Sequence, residues 1–401
     1  MFMIAPRLNA ITLDASESAS QVARTLLSQG VDIVSLATGE PDFATPDHVC
    51  KAVIEAMERG DTKYTLGGGT VEMRRAVIEK FARDNHLTYE MNEVIVGPGA
   101  KNLIHTALNA TIGPGDEVIV PAPYWVSYTD MVKLSEGEPV VLTGLKEHGY
   151  KLTAAQIDKA ITGRTRWLIL NSPSNPSGMI YTREELADIA DVLRRHPHVW
   201  VLADDIYEHI IFEGNKFETI AAVAPDLKDR VLTLNGVSKA YAMTGWRLGY
   251  AGGPASLIKA MRKIQSQTLG SVCSISQAAA VAALNGPQEY LKDRARSFQA
   301  RRDRVLAMIE DIPGLSAETP QGAFYIWVDC SGIIGKKTED GLLISNDKNV
   351  AKYILEKARV AVVAGAAYGM SPYFRVSIAS PAAELERAFD RIGRALGNLT
   401  S

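Results

Sequence analysis

A lysine works as a nucleophile or a base only where its surroundings keep the amine neutral. The segment SKAYAMTGWRLGY, Ser238 to Tyr250, offers Lys239 such a place. It follows VLTLNG, which reads as a strand, so the lysine sits in the loop beyond a strand's carboxyl end, where open α/β sheets hold their ligands. Arg247, in a Gly-Trp-Arg context, adds a second cation that can meet a phosphate, and Ala240 and Ala242 supply small residues for close packing. A second segment, ADDIYEH, Ala203 to His209, directly follows VWVL and puts Asp204 at another strand end. A buried carboxylate there can keep a proton on a heteroaromatic nitrogen, the condition for such a ring to act as an electron sink. Tyr207 can donate a hydrogen bond to a ring oxygen. Each segment alone has a plainer reading: a solvated loop lysine, and an acidic pair that caps a helix or binds a metal.

Further segments fit one cleft. LNSPSNPSG, Leu170 to Gly178, holds Asn175 between prolines in a rigid, non-helical loop, either as a turn residue or as an amide that bonds cofactor and substrate. GPGAKN, Gly97 to Asn102, lies between a strand and a helix pattern, so the backbone at Gly99, Ala100 and Lys101 can cradle a phosphate at a helix start. It satisfies neither the dinucleotide fingerprint nor the P-loop. Trp125 in PYWVSY can stack on an aromatic ring or fill the core. Tyr64 in TKYTLGGG sits in a glycine-rich loop, and Gly39 opens GEPDF, a tight turn that brings backbone near a substrate. Arg375 in YFRVSIA lies mid-strand, facing solvent or clamping a carboxylate.

The elements that must position these residues follow from continuous apolar runs. Glu93–Val96, Glu117–Val120, Trp167–Leu170, Val199–Leu202 and Arg230–Leu234 read as strands covered on both faces, alternating with helical patterns. That alternation predicts a mostly parallel central sheet with helices on both faces. A helix is expected from Thr45 as cap, with Pro46 at its first position and Gly60 at its end. The alanine-rich stretch Gln277 to Leu284 reads as a buried helix. After about Gly286 the pattern changes to a charged helix, Glu289 to about Ile309, then Gly322–Val328, a helix at Val350–Ala358, Val360–Val363, Phe374–Ile378 and a last helix from Ala382. The division expected is a large α/β domain over 45–286, a smaller α+β domain over 287–401, and an N-terminal segment, 1–44, packed with the smaller one.

The chain has 401 residues, a formal net charge of −3 and three widely spaced cysteines, Cys50, Cys273 and Cys330. There is no basic stripe for nucleic acid, no CxxC and no disulfide framework, so a reducing cytoplasm is the expected location. MFMIAPRLNAITLD lacks a basic region followed by a long apolar stretch, so no signal peptide is expected, and no apolar run approaches the ~20 residues of a membrane span.

Taken in order, GEPDF, TKY, PYW, NSPSNPSG, DDIYEH, SKAYAMTGWR and FRVS resemble the class I pyridoxal-phosphate aminotransferases of fold type I, and within them the bacterial aspartate aminotransferases. The resemblance spans about Gly39 to Arg375. It implies pyridoxal 5'-phosphate as cofactor, no metal, and a homodimer with shared sites. Lys239 is then the lysine that bonds the cofactor's aldehyde and moves the proton. Asp204 pairs with the pyridine nitrogen, Tyr207 and Asn175 bond the ring oxygen, and Trp125 stacks. Arg247 and the backbone at Gly99, Ala100 and Lys101 hold the phosphate, and Tyr64 reaches that of the partner subunit. Arg375, Asn175 and the Gly39 backbone hold the substrate's α-carboxylate, and Lys101 takes a distal carboxylate. Two departures stand out. Gly236 replaces a hydroxyl residue three before the lysine, for which Ser238 can substitute. LDASES, Leu13 to Ser18, lacks the Lys-Pro-Ser-Ala-Thr pattern of many aspartate and prephenate relatives. The expected activity is ping-pong transfer from aspartate or glutamate to 2-oxoglutarate. Alternatives are neutral or aromatic amino acids, a β-lyase or a ring-closing synthase. A transcription regulator would need a DNA-binding domain ahead of the fold, and about forty residues are too few for one.

Overall fold

In a computed structural model, which describes residues 4–400, all five apolar runs become strands. Each extends one or two residues further toward its carboxyl end than expected. In chain order the strands are β1 (Val34–Ser35), β2 (Val94–Gly97), β3 (Glu117–Ala122), β4 (Glu138–Thr143), β5 (Thr165–Asn171), β6 (Trp200–Asp204), β7 (Val231–Gly236), β8 (Gly249–Gly252), β9 (Ser316–Ala317), β10 (Tyr325–Asp329), β11 (Val360–Ala361), β12 (Val363–Ala364) and β13 (Tyr373–Ser377). Seven form one sheet in the order β2-β8-β7-β6-β5-β3-β4. Every pairing in it is parallel except those of β8, which runs antiparallel to β7 and β2. Four more form an antiparallel sheet, β12-β13-β10-β9.

The runs are continuously apolar because alternate residues feed two different cores. Val94 and Val96 of β2 join Met73, Val77 and Phe81 of α3 (Val71–Asn85) on one face. Ile95, between them, joins Leu103, Ile104 and Leu108 of α4 (Ala100–Thr111) on the other. Leu168 and Leu170 of β5 likewise serve the first core, and Trp167 and Ile169 the second. The expected mostly parallel central sheet is present, together with a smaller antiparallel sheet. Helix α1 (Ala15–Ser28) packs against β1, β11 and β12, and β1 pairs in parallel with β11. Among the described residues no helix is long and apolar enough to cross a membrane.

Some expectations need correction. Thr45 does not cap the helix after it. Helix α2 runs Asp47–Glu58 with Pro46 at the cap position and no side-chain cap bond. The Thr45 hydroxyl is engaged elsewhere, donating to the Ala242 carbonyl at 3.3 Å and accepting from Trp246 Nε1 at 2.9 Å. Val360–Val363 is not one strand but the two short pieces β11 and β12, which join different sheets. Gly322–Val328 is strand only from Tyr325. Four strands lie outside the expected runs: the two-residue β1 and β9, and two longer ones. β4 is a half-exposed edge strand. β8, Gly-Tyr-Ala-Gly, looks like a turn, but its glycines mark close approach. A Cβ on Gly249 would stand 2.5 Å from the Ala100 nitrogen, and one on Gly252 2.4 Å from the Tyr89 ring.

Under β6 lies a buried charge pair. Lys80 of α3 is fully buried, bonds Glu208, and donates to Asn85 Oδ1 at 2.6 Å. Asn85 in turn donates to Glu208 Oε2 at 2.5 Å. Asp84, Glu208 and His209 are close enough to share a cation, but Lys80 already holds that charge. Lys80→Met should therefore cost about 3–5 kcal/mol by stranding the Glu208 carboxylate, while Lys80→Met/Glu208→Leu should recover at least half of it. Urea-unfolding midpoints of the three proteins test this, and equal losses in single and double variants would contradict it.

Candidate active site

Strand register sets the site. Asn171 at the end of β5 pairs with Asp204 at the end of β6, and Asp204 with Leu234 of β7. Gly236 and Gly97 both face Gly249. The loops carrying Asn175, Asp204, Lys239 and Lys101 therefore leave one edge of one sheet. There they line a cavity of about 450 Å³ together with Gly39, Ala100, Trp125, Tyr207, Ser238, Arg247 and Arg375. Gly99 stands just behind its wall. Its φ of +90° is a left-handed value that favours glycine, and a Cβ there would stand 2.6 Å from an Arg247 nitrogen. Tyr64 is not in this cavity: its residue is 99% exposed, in a separate groove with Lys63 and Thr65.

The Lys239 Nζ donates to the Gly39 carbonyl at 2.7 Å. Burial, then the charges of Arg375 and Arg247, lower its pKa from the ordinary 10.5 to about 8; Glu40 and Asp204 pull weakly the other way. Arg375 is not on the solvent side. It is buried, donating to Asn175 Oδ1 at 3.1 Å and the Ala37 carbonyl at 2.6 Å, with its guanidinium 4.4 Å from the centre of the Tyr325 ring. Both hydrogen-bond partners are neutral, and its Nε has none among the described residues. A buried cation so placed is poised for an anion.

Asp204 is also buried. Its Oδ2 accepts from the Tyr128 hydroxyl at 2.5 Å, while Oδ1 has no partner among the described residues. Burial pushes its pKa up to about 6, against the Tyr128 bond, the Ile206 N–H and the charge of Lys239. A buried carboxylate oxygen without a donor is a place for a cationic N–H. Asp205, next along the chain, is not among the cavity's lining residues; its N–H bonds the Leu234 carbonyl. The Tyr207 hydroxyl meets that of Tyr325 at 2.9 Å. Asn175 is fixed by its N–H to Asn171 Oδ1 at 2.8 Å. Trp125 packs edge-on against Tyr128, with ring centres 5.3 Å apart.

Several lining residues escaped the sequence reading. Tyr128 sits in the quoted PYWVSY, one helical turn after Trp125, and that spacing could have shown it. Tyr325 reads as an ordinary strand residue, and Asn171 as the opening of the loop that carries Asn175. Asp14 at the cap of α1, with Ser16, Glu17, Ser20 and Arg24 along it, also lines the cavity. Lys101 is met there: its Nζ lies 3.3 Å from Asp14 Oδ2 and 4.9 Å from the centre of the Trp125 ring.

Together the cavity offers a near-neutral amine, an unpaired carboxylate oxygen, two arginines, a helix start and an indole. These fit an aromatic aldehyde that carries a ring nitrogen and a phosphate, alongside a carboxylate substrate. Comparison with known proteins agrees. Residues 31–392 match the family model for aminotransferases of class I and II. The aspartate aminotransferase of Rhizobium meliloti (strain 1021) is 50% identical over 399 residues, covering 100% of this chain and 97% of that protein. An aspartate/prephenate aminotransferase of Cereibacter sphaeroides is 52% identical over 370 residues, 92% of each. The crystal structure of a Rhizobium meliloti aspartate aminotransferase superposes with a TM-score of 0.97 at 50% identity, covering all of both chains.

A pKa of about 8 makes the Lys239 amine mostly neutral above pH 8 and mostly charged below it. Covalent capture of a small aldehyde such as pyridine-4-carboxaldehyde at Lys239, trapped with cyanoborohydride in protein freed of cofactor, should rise with pH and level off above about 8. Arg375→Met, which removes a neighbouring cation, should move the midpoint upward. Peptide mass spectrometry reads the yield; a wild-type midpoint at the ordinary lysine value would refute the assignment.

Proposed function

The chain belongs to the aminotransferase class I and II family, whose members work with pyridoxal phosphate, and on that premise we propose that it moves an amino group from aspartate or glutamate to 2-oxoglutarate in a two-stage, ping-pong cycle. The observation that carries the reading is the convergence of the Lys239 amine, the uncompensated Arg375 cation and the free Asp204 oxygen in one cavity. Pyridoxal phosphate supplies an aldehyde to take up the amino group and a ring that absorbs the electrons left behind at the substrate's α-carbon.

The chain's own residues do the rest. Arg375, oriented by Asn175 and the Ala37 carbonyl, clamps the substrate's α-carboxylate. Lys239 would hold the cofactor at its aldehyde, and its Nζ, at the lowered pKa, can take the proton from the substrate's α-carbon. Asp204, steadied by Tyr128, holds the ring nitrogen's proton, and Tyr207 and Asn175 bond the ring oxygen. Trp125 covers the ring. Arg247, Ser238 and the backbone of Gly99, Ala100 and Lys101 at the start of α4 hold the phosphate. The Gly39 carbonyl keeps the Lys239 Nζ in place, and Lys101 faces a distal carboxylate.

A homodimer with shared sites completes the reading. Tyr64, with Leu66, Met57 and Ile54 also exposed, would reach the phosphate site of a partner subunit. The large α/β part, 45–286, and the smaller part, 287–401 with 1–44, would act as two bodies around the cavity. The cysteines are free, which suits a reducing cytoplasm. A second reading, transfer from neutral or aromatic amino acids, is favoured by one observation: Lys101 already faces the Asp14 carboxylate.

Lys239→Ala should keep bound cofactor but lose turnover by roughly 10³-fold or more. Asp204→Ala should weaken cofactor binding and slow α-proton removal, and Asp205→Ala should do much less of either. Comparable rates in Lys239→Ala, or equal sensitivity at the two aspartates, would overturn these roles. The Lys101 side chain is 48% exposed. Lys101→Ala should therefore cut the preference for aspartate over alanine by about tenfold, short of the roughly 2–5 kcal/mol lost at fully buried pairs. The measurement is kcat/KM for both substrates, and an unchanged ratio removes Lys101 from substrate recognition.

A further inference from the structure

The one cation facing the substrate's distal end is already occupied. Asp14 Oδ2 lies 3.3 Å from Lys101 Nζ and accepts from the Ser127 hydroxyl at 3.0 Å. Its Oδ1 accepts from the backbone N–H groups of Ser16 at 2.9 Å and Glu17 at 3.3 Å, so the same carboxylate caps α1. Burial alone would raise the Asp14 pKa, but the charge of Lys101 and the bonds from Ser127 and the Glu17 N–H outweigh it and hold the group ionised. Lys101 carries one charge and cannot neutralise two carboxylates. The other cations lining the cavity are spoken for or remote. Lys239, Arg247 and Arg375 serve the chemistry, and Arg24 is exposed on α1 itself, where Glu17 and Glu40 add negative charge.

We propose that Asp14 is a specificity-determining residue that occupies Lys101 in place of a substrate's distal carboxylate and must be drawn off it before a dicarboxylic acid can bind. This rests on reading Lys101 as the distal-carboxylate site. A neutral or aromatic side chain binds with the pair intact, against the Trp125 ring, which Lys101 also touches. A second carboxylate instead meets Asp14 as a like charge a few ångströms away, and accommodating it moves the start of α1. The cavity thus has two modes, closed by its own carboxylate for neutral substrates and opened by displacement for acidic ones. Binding of a dicarboxylate should also release the Ser16 and Glu17 N–H groups from their cap.

The test uses holoenzyme carrying Asp14→Asn, which keeps a capping oxygen and removes the charge, with Asp14→Ser as a shorter capping residue. In both, kcat/KM for aspartate relative to phenylalanine should rise about tenfold, through KM, and succinate should inhibit about tenfold more tightly. In a Lys101→Ala background the Asp14 substitutions should have a much smaller effect on both quantities, since the like-charge repulsion is relieved but no cation is freed. In the wild type, hydrogen exchange at Ser16 and Glu17 should quicken with succinate and not with 3-phenylpropionate. If Lys101→Ala abolishes the dicarboxylate preference while Asp14→Asn leaves it unchanged or lowers it, Lys101 recognises the substrate and Asp14 does not gate it. If Lys101→Ala itself changes nothing, both readings fall.

Discussion

Lys239 and Arg375 are like charges lining one cavity, and their repulsion, added to burial, is the interaction from which the site's chemistry follows. A guanidinium does not give up its proton in a protein, so the lysine yields. Its pKa falls to about 8, so that about a tenth of the amine is neutral at pH 7, far more than at the ordinary lysine value. The repulsive part of the effect would be lost if a carboxylate paired closely with Arg375, leaving burial alone. Arg375 is instead held by an amide oxygen and a main-chain carbonyl, which orient it without cancelling its charge. Glu40 and Asp204, the carboxylates that oppose the shift, are engaged elsewhere, Glu40 by the Thr244 hydroxyl and Asp204 by Tyr128.

Keeping opposite charges in one cavity without letting them pair requires a rigid support, and the parallel sheet provides it. Asp204 ends one strand and Lys239 follows the next, so their separation is set by strand spacing and by the loop after Gly236. Behind that loop β8 runs close enough to α4 that only glycine fits at position 249, with Gly99 similarly pressed against Arg247. These contacts fix the start of α4 against Arg247. Buried pairs such as Lys80–Glu208 hold α3 to the loop that carries Tyr207, from the face away from the cavity.

How much of this the sequence disclosed depended on whether a residue's role is local. Lys239, Asp204 and Asn175 were legible because each follows an apolar run, and a position after a strand of a parallel sheet is also a position in the cleft. Arg375 stayed open, since whether a strand arginine faces solvent depends on which sheet lies behind it. Tyr325 acts through Tyr207, 118 residues away in sequence, and left no local mark, whereas Asn171 ties both the distant Asp204 carbonyl and the N–H of Asn175 four residues on. β8 was hidden because its glycines answer to packing against another element, whereas in sequence they look like a turn. Thr45 misled for a similar reason: its hydroxyl serves a long-range tie to Ala242 and Trp246 in preference to the adjacent helix.

The groups that differ in role also differ in support. On the proposed reading, the groups of the chemistry stand at the carboxyl ends of the large sheet's strands or, like the carboxylate-binding Arg375, on β13 of the smaller sheet. Asp14, which pairs with Lys101, caps α1, a helix packed on β1, β11 and β12. The ties of that start to the rest are few: the Thr12 N–H to Asp130 at 3.2 Å, Ser16 Oγ to Tyr368 at 3.2 Å, and the contacts of Asp14 with Lys101 and Ser127. Apart from Lys101 itself, none of these ties involves a residue assigned to the cofactor or to the proton. The start of α1 can therefore shift to suit a substrate side chain while the distances among Lys239, Asp204 and Arg375 are kept. On that reading the proton transfer is set by sheets that resist deformation, and the choice of amino acid by a helix start held by one ion pair, a few hydrogen bonds and the packing of Ala15 and Ala19.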